Sequence, residues 1–116
     1  MDRDAATEHC LSLPGAYLDS PWSPDHLVAK VGGKIFAFLG DPGPAFTITA
    51  KNTPEVIDEW RARFPEHAGL ARYLSKTLWN QVVAAGLGAP DDDEVRELID
   101  DSYALIVAAL PRAKRP

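Results

Sequence analysis

His9 and Cys10 place an imidazole beside a thiol, the two groups of a cysteine nucleophile and its base. Adjacent residues on a helix point about 100° apart, so these two do not face one another. The spacing favours a small buried cysteine. His26 and His67 stand far apart in segments rich in loop-forming residues. The H-x-x-x-H and C-x-x-C spacings of zinc sites do not occur. Asp93, Glu97 and Asp101 recur every fourth residue and offer carboxylates on one helix face. A calcium ion takes six or more oxygens, which one face does not complete. These acids read as a helix cap and a solvated surface. Phosphate-binding and nucleophile-elbow motifs are also missing. The sequence therefore gives no catalytic residue, no metal ligand set and no cofactor.

Two other groups could bind rather than react. Lys30, Lys34, Lys51, Arg72 and Lys76 are candidates for phosphate contacts with DNA, with the tail Arg112-Ala113-Lys114-Arg115 as a further basic element. Trp22, Trp60, Tyr73 and Trp79 are candidates for an aromatic pocket between sheet and helices. They compete with ordinary core and edge packing for the same rings.

The elements that must position these residues follow from local pattern. Gly32-Gly33 is a two-residue hairpin turn between strands Leu27–Val31 and Lys34–Leu39. It sets Val31 opposite Lys34 and Lys30 opposite Ile35, so Lys30 and Lys34 leave on different faces. A hairpin wing touching phosphate from both sides is compatible with that. The outgoing strand is apolar on both faces. Ala45–Lys51 alternates as a half-buried strand. A short strand is expected at Ala16–Asp19, and Trp79, Val82 and Val83 favour a strand within Leu78–Ala84. Residues 65–76 fit no element.

Helices are expected over residues 2–12, from Thr53-Pro54-Glu55 to about Arg63, and from Asp91 to Pro111. Asp91 and Glu94 have capping-box spacing. Val95, Leu98, Ile99, Ser102, Ile106 and Ala109 form the stripe of the last helix. The order is helix, strands, helix, strand, helix. That predicts an α+β two-layer sandwich, an antiparallel sheet with helices packed on one face. It is a single domain over 1–116, with an ordered core from about 5 to 110 and a basic tail at 111–116.

Bulk properties narrow the partners. The chain has 116 residues, 46% apolar and 25% charged, with net charge −5. Residues 19–88 carry seven acids and seven bases, while residues 89–116 carry seven acids and four bases. Excess acid is concentrated towards the ends, whereas a DNA binder is ordinarily basic. No apolar run approaches the roughly 20 residues of a membrane helix. The start, Met1-Asp2-Arg3-Asp4, lacks signal-peptide character. A cytoplasmic protein with no membrane partner is expected.

Five segments, taken in order, carry a family resemblance: Leu13-Pro14-Gly15-Ala16; Pro21-Trp22; Val31-Gly32-Gly33-Lys34-Ile35-Phe36-Ala37; Lys76-x-x-Trp79-Asn80-x-Val82; and Leu98-Ile99-x-x-Ser102-Tyr103-x-Leu105-Ile106-Val107. The chain resembles the MmcQ/YjbR-like proteins from about Ala5 to Leu110. The resemblance implies a fold similar to bacterial frataxin-like (CyaY-like) proteins. It also implies a DNA-binding role with a winged arrangement and no enzyme activity. Some members occur beside antibiotic-production or resistance genes, which implies drug or metabolite binding as the alternative. The stretch before Trp79 departs from the family pattern: it keeps Lys76 and lacks the usual histidines.

Overall fold

The computed structural model describes residues 1–116. The elements are α1 (Arg3–Ser12), β1 (Tyr17–Asp19), β2 (Leu27–Val31), β3 (Lys34–Leu39), β4 (Thr47–Lys51), α2 (Pro54–Arg63), β5 (Ala68–Leu70), β6 (Trp79–Val83) and α3 (Asp92–Ala109), with a short 3-10 turn at Arg112–Lys114. The strands make one antiparallel sheet in the order β1-β2-β3-β4-β6-β5. The helices pack on one of its faces, as the α+β sandwich expectation required. No helix is long and apolar enough to cross a membrane.

Gly32 and Gly33 both have positive φ, +58° and +84°, the conformation that a two-residue hairpin turn of this hand demands. Lys30 faces Ile35 and Val31 faces Lys34 as expected, but the register then slips: Ala29 faces Ala37. Phe36 is therefore an extra residue on β3, a β-bulge. The bulge turns both Phe36 and Ala37 into the core, where each is fully buried. It returns Ile35 and Phe38 to the opposite face, which explains a strand apolar on both sides.

Where the β3–β4 ladder ends at Ala37 and Ala50, α3 takes over the hydrogen bonding. Ser102 Oγ donates to the Phe36 carbonyl at 2.6 Å and accepts from the Lys51 amide at 2.9 Å. One hydroxyl thus satisfies a buried acceptor and a donor that the strands do not pair directly. Beside it Phe36 meets Tyr103 edge to face at 5.4 Å, and the Tyr103 hydroxyl donates to Pro14 O. Val95, Leu98, Ile99 and Ile106 are buried from the same helix, and Asp91 and Glu94 complete the capping box.

The segment left without an element contains β5. Its sequence, Ala68-Gly69-Leu70, has no strong strand preference; pairing with β6 imposes the extended shape. Asn80 of β6 is fully buried and donates to Ile57 O at 3.1 Å, while Arg61 Nε donates to its side-chain oxygen at 2.7 Å. Arg61 also donates to Lys76 O and Trp79 O, at 2.7 and 3.2 Å. It thereby fixes the end of the loop between β5 and β6 to α2.

Candidate ligand pocket on the open face of the sheet

The helices cover only one side of the sheet. On the other side, register pairs Val28 with Phe38, Phe38 with Thr49 and Thr49 with Gln81. These positions form a row across β2, β3, β4 and β6. Two loops rise beside it. The β1–β2 loop brings Trp22 and His26, and the β5–β6 loop brings Ala71, Arg72, Tyr73 and Leu74. Between them lies a concave pocket of about 670 Å³, with Ile35, Phe38, Thr49 and Gln81 on its floor. A smaller annex of about 170 Å³ continues along Val28 and Thr47.

The aromatic groups are graded in exposure. Phe38 is half-buried, packed edge to face against Trp79 at 5.7 Å and stacked with Trp22 at 6.2 Å. Trp22 remains 64% exposed and Tyr73 98%. Tyr73 is the one non-glycine residue with positive φ, +64°, a conformation a bulky side chain adopts at some cost. His26 is held through Nδ1, 2.8 Å from Ser23 Oγ. Arg72 is exposed and takes part in no ion pair.

Of the four aromatic residues expected to share a pocket between sheet and helices, Trp22 and Tyr73 line this one, which lies instead on the face away from the helices because no helix residue borders it. Trp79 supports it from behind Phe38. Trp60 is elsewhere: it is buried in the helix-side core, 5.2 Å from Phe64, because the apolar stripe of α2 faces inward. Ile35, Phe38, Thr49, Gln81, Ala71 and Leu74 were not singled out by sequence, and His26 drew notice there only for a zinc site. The double-sided apolar character of β3 was the signal for Ile35 and Phe38.

The basic candidates are divided. The Lys30 ammonium hydrogen-bonds Asp19 at 2.7 Å. That bond, with help from the Ser20 amide, holds the Asp19 carboxyl below its ordinary pKa, and Lys30 is raised in return. Arg72 belongs to the pocket wall. Lys76 lies exposed on the same loop and Lys51 at the end of β4. Lys34 stands at the hairpin tip, next to the basic tail. A Cβ on Gly32 would sit 2.5 Å from a Leu110 methyl and 2.9 Å from Lys114 O. One side of the tip is thus closed by the chain's own tail, while Gly33 meets open space.

The titratable groups near the start of the chain are occupied otherwise. His9 meets Asp100 of α3 at 2.7 Å. Cys10 lies fully buried in the core, and burial pushes its thiol up to about 12. In the acidic run of α3, Asp93 pairs with Arg96 at 2.8 Å and Asp101 accepts from Asn52 at 3.3 Å. No three His, Cys, Asp or Glu side chains converge on a shared point.

A family model for YjbR matches residues 11–105, from the end of α1 into the last third of α3. The chain belongs to the YjbR family. Among solved structures, Deinococcus radiodurans protein DR2400, a DUF419-domain protein, is similar with TM-score 0.85 and 24% identity, over 96% of this chain and 83% of that one. A Pseudomonas syringae protein is similar with TM-score 0.70 and 26% identity, over 90% and 98% of the two chains. Among curated proteins none matches. In this YjbR chain the resemblance segments meet in space: Tyr103 reaches Pro14, and Ser102 reaches Phe36.

Proposed function

We propose that this YjbR protein is a non-enzymatic binding protein that holds a small molecule in the pocket on the open face of its sheet. One observation carries the reading. The helix-free face bears a concave, mostly apolar site of about 670 Å³, within the roughly 300–1,000 Å³ of small-molecule sites. Apolar side chains on an uncovered sheet face cost free energy in water unless something covers them. Here two loops build walls around them and leave the mouth open. The reduced thiol of Cys10, deep in the core, is at home in the cytoplasm, where we place this function.

The test is thermal-shift screening with a panel of small aromatic fragments on the wild-type chain and Gln81→Phe. Gln81 is exposed on the pocket floor, so a phenyl ring there fills the site without entering the core. Fragments that stabilise the wild type and lose their effect in Gln81→Phe support pocket binding. Equal effects on both proteins exclude it.

A second reading is weak, sequence-independent DNA binding, and one observation favours it. The Gly32 contact puts Lys34 beside the Arg112–Arg115 tail, and no acid follows Asp101 in the chain. This end of the molecule is locally basic. Lys30, Lys51, Arg72 and Lys76 would extend the contact, although Lys30 must first give up Asp19. Phosphate contacts of this kind carry no base information, and the acidic remainder opposes them. Filter binding at about 50 mM salt, where electrostatic binders are strongest, tests it. Loss of binding in Lys34→Ala with Lys114→Ala is the expected result; no complex at that salt excludes DNA.

A further inference from the structure

The pocket carries a charged group as well as an apolar floor. We propose that its ligand is an anionic arene, a flat aromatic body carrying one carboxylate, sulfonate or comparable acid group, with the acid on Arg72 and the ring against Phe38 and Trp22. This rests on the pocket reading above and adds the ligand class.

The aromatic contact is set by ring geometry. Trp22 lies within 12° of parallel to Phe38 and is still 64% exposed. Its exposed surface can therefore meet another planar group without loss of the Phe38 contact. Offset stacking of that kind is the arrangement aromatic faces prefer. Tyr73 adds a second exposed ring at the opposite wall.

The charged half follows from what lines the site. Arg72 is the only residue there with a fixed charge, and no carboxylate is among the lining residues. This is a positive site in a chain of net charge −5. Arg63 pairs with Glu94 and Arg96 with Asp93, both away from the pocket. Arg72 is unpaired beside an apolar floor. A guanidinium in that setting matches two oxygens of a carboxylate or sulfonate through two parallel N–H donors. The free edge of His26, whose Nδ1 is engaged by Ser23, adds a further donor or acceptor at the other wall.

The experiment compares two probes that differ by one group: anilinonaphthalene sulfonate and the uncharged N-phenylnaphthylamine. Each is titrated against wild type, Arg72→Gln, Arg72→Lys and Gln81→Phe, with probe fluorescence as the readout. The expected result is a sulfonate affinity about tenfold tighter than that of the neutral probe, the lower end for a hydrogen bond to a charged partner. Arg72→Gln should erase most of that gap by weakening the sulfonate alone. Arg72→Lys should restore part of it. Equal affinities in the wild type, or a gap that survives Arg72→Gln, would overturn the anionic preference while leaving the pocket reading in place. Binding of both probes that ignores Gln81→Phe would overturn the pocket reading and this inference with it.

Discussion

Trp22 and Phe38 lie with ring centroids 6.2 Å apart and planes 12° apart, yet one ring belongs to a loop and the other to a central strand. This contact ties the β1–β2 loop to the sheet and shapes one wall of the pocket. Because Trp22 is mostly exposed, it contributes little to the core. Trp22→Ala should cost about 0.5–1.5 kcal/mol, the scale of an aromatic pair. Urea unfolding checks the value; a loss above about 3 kcal/mol would place Trp22 among core residues.

Leu98 sits at the other extreme, on the inward stripe of α3 and 1% exposed. Leu98→Ala should cost about 2–5 kcal/mol, through lost burial and the cavity left behind. Leu87, fully exposed, provides the control: Leu87→Ser should change stability by less than about 0.5 kcal/mol. Chemical denaturation of the two variants tests the assignment of the core to the helix side of the sheet.

Ser102 makes a more specific prediction. Its hydroxyl bridges the Phe36 carbonyl and the Lys51 amide at the point where the ladder between β3 and β4 stops. Ser102→Ala leaves two polar groups without this partner, at about 1–3 kcal/mol for a buried unsatisfied group. Ser102→Thr retains the hydroxyl but adds a methyl to a fully buried site. Amide hydrogen exchange should show Lys51 losing protection selectively in Ser102→Ala. Unchanged protection at Lys51 would contradict the bridge.

Cys10 gives the pH dependence. Burial raises its thiol from 9.0 to about 12 in the folded chain. A folded-state pKa above the unfolded one means this contribution is fully present below the unfolded value. It is lost as pH rises towards 12. The stability difference between wild type and Cys10→Ala should therefore be constant below about pH 8 and shift against the wild type above about pH 9. Denaturant midpoints of both proteins across that range are the measurement. The native thiol should also react with disulfide reagents only on unfolding.

Much of the fold was legible because its signals are local. Gly32-Gly33 marks the hairpin, Thr53-Pro54 starts α2, and Asp91 with Glu94 starts α3. What was not legible depends on partners distant in sequence. The bulge at Phe36 lies where Ser102 of α3 reaches the Phe36 carbonyl, a contact that two well-patterned strands do not announce. β5 exists because β6 pairs with it. The pocket was half legible. Trp22, Tyr73 and Arg72 stand out by residue type, but Thr49 and Gln81 join them only through the β3-β4-β6 register. Trp60 shows why aromatic count misleads: an inward helix stripe claims it first. Arg61 shows the reverse, an unremarked surface-type residue that fixes the pocket's loop through Asn80 and two carbonyls.

The central claim, that the open face of the sheet binds a small molecule, is tested most directly by an amide-resolved NMR titration with the anionic naphthalene probe. Saturable shifts concentrated at Ile35, Phe38, Thr49, Arg72 and Gln81 are expected, with the α3 amides unmoved. Shifts confined to Lys34 and the Arg112–Arg115 tail, or none that saturate, would contradict it.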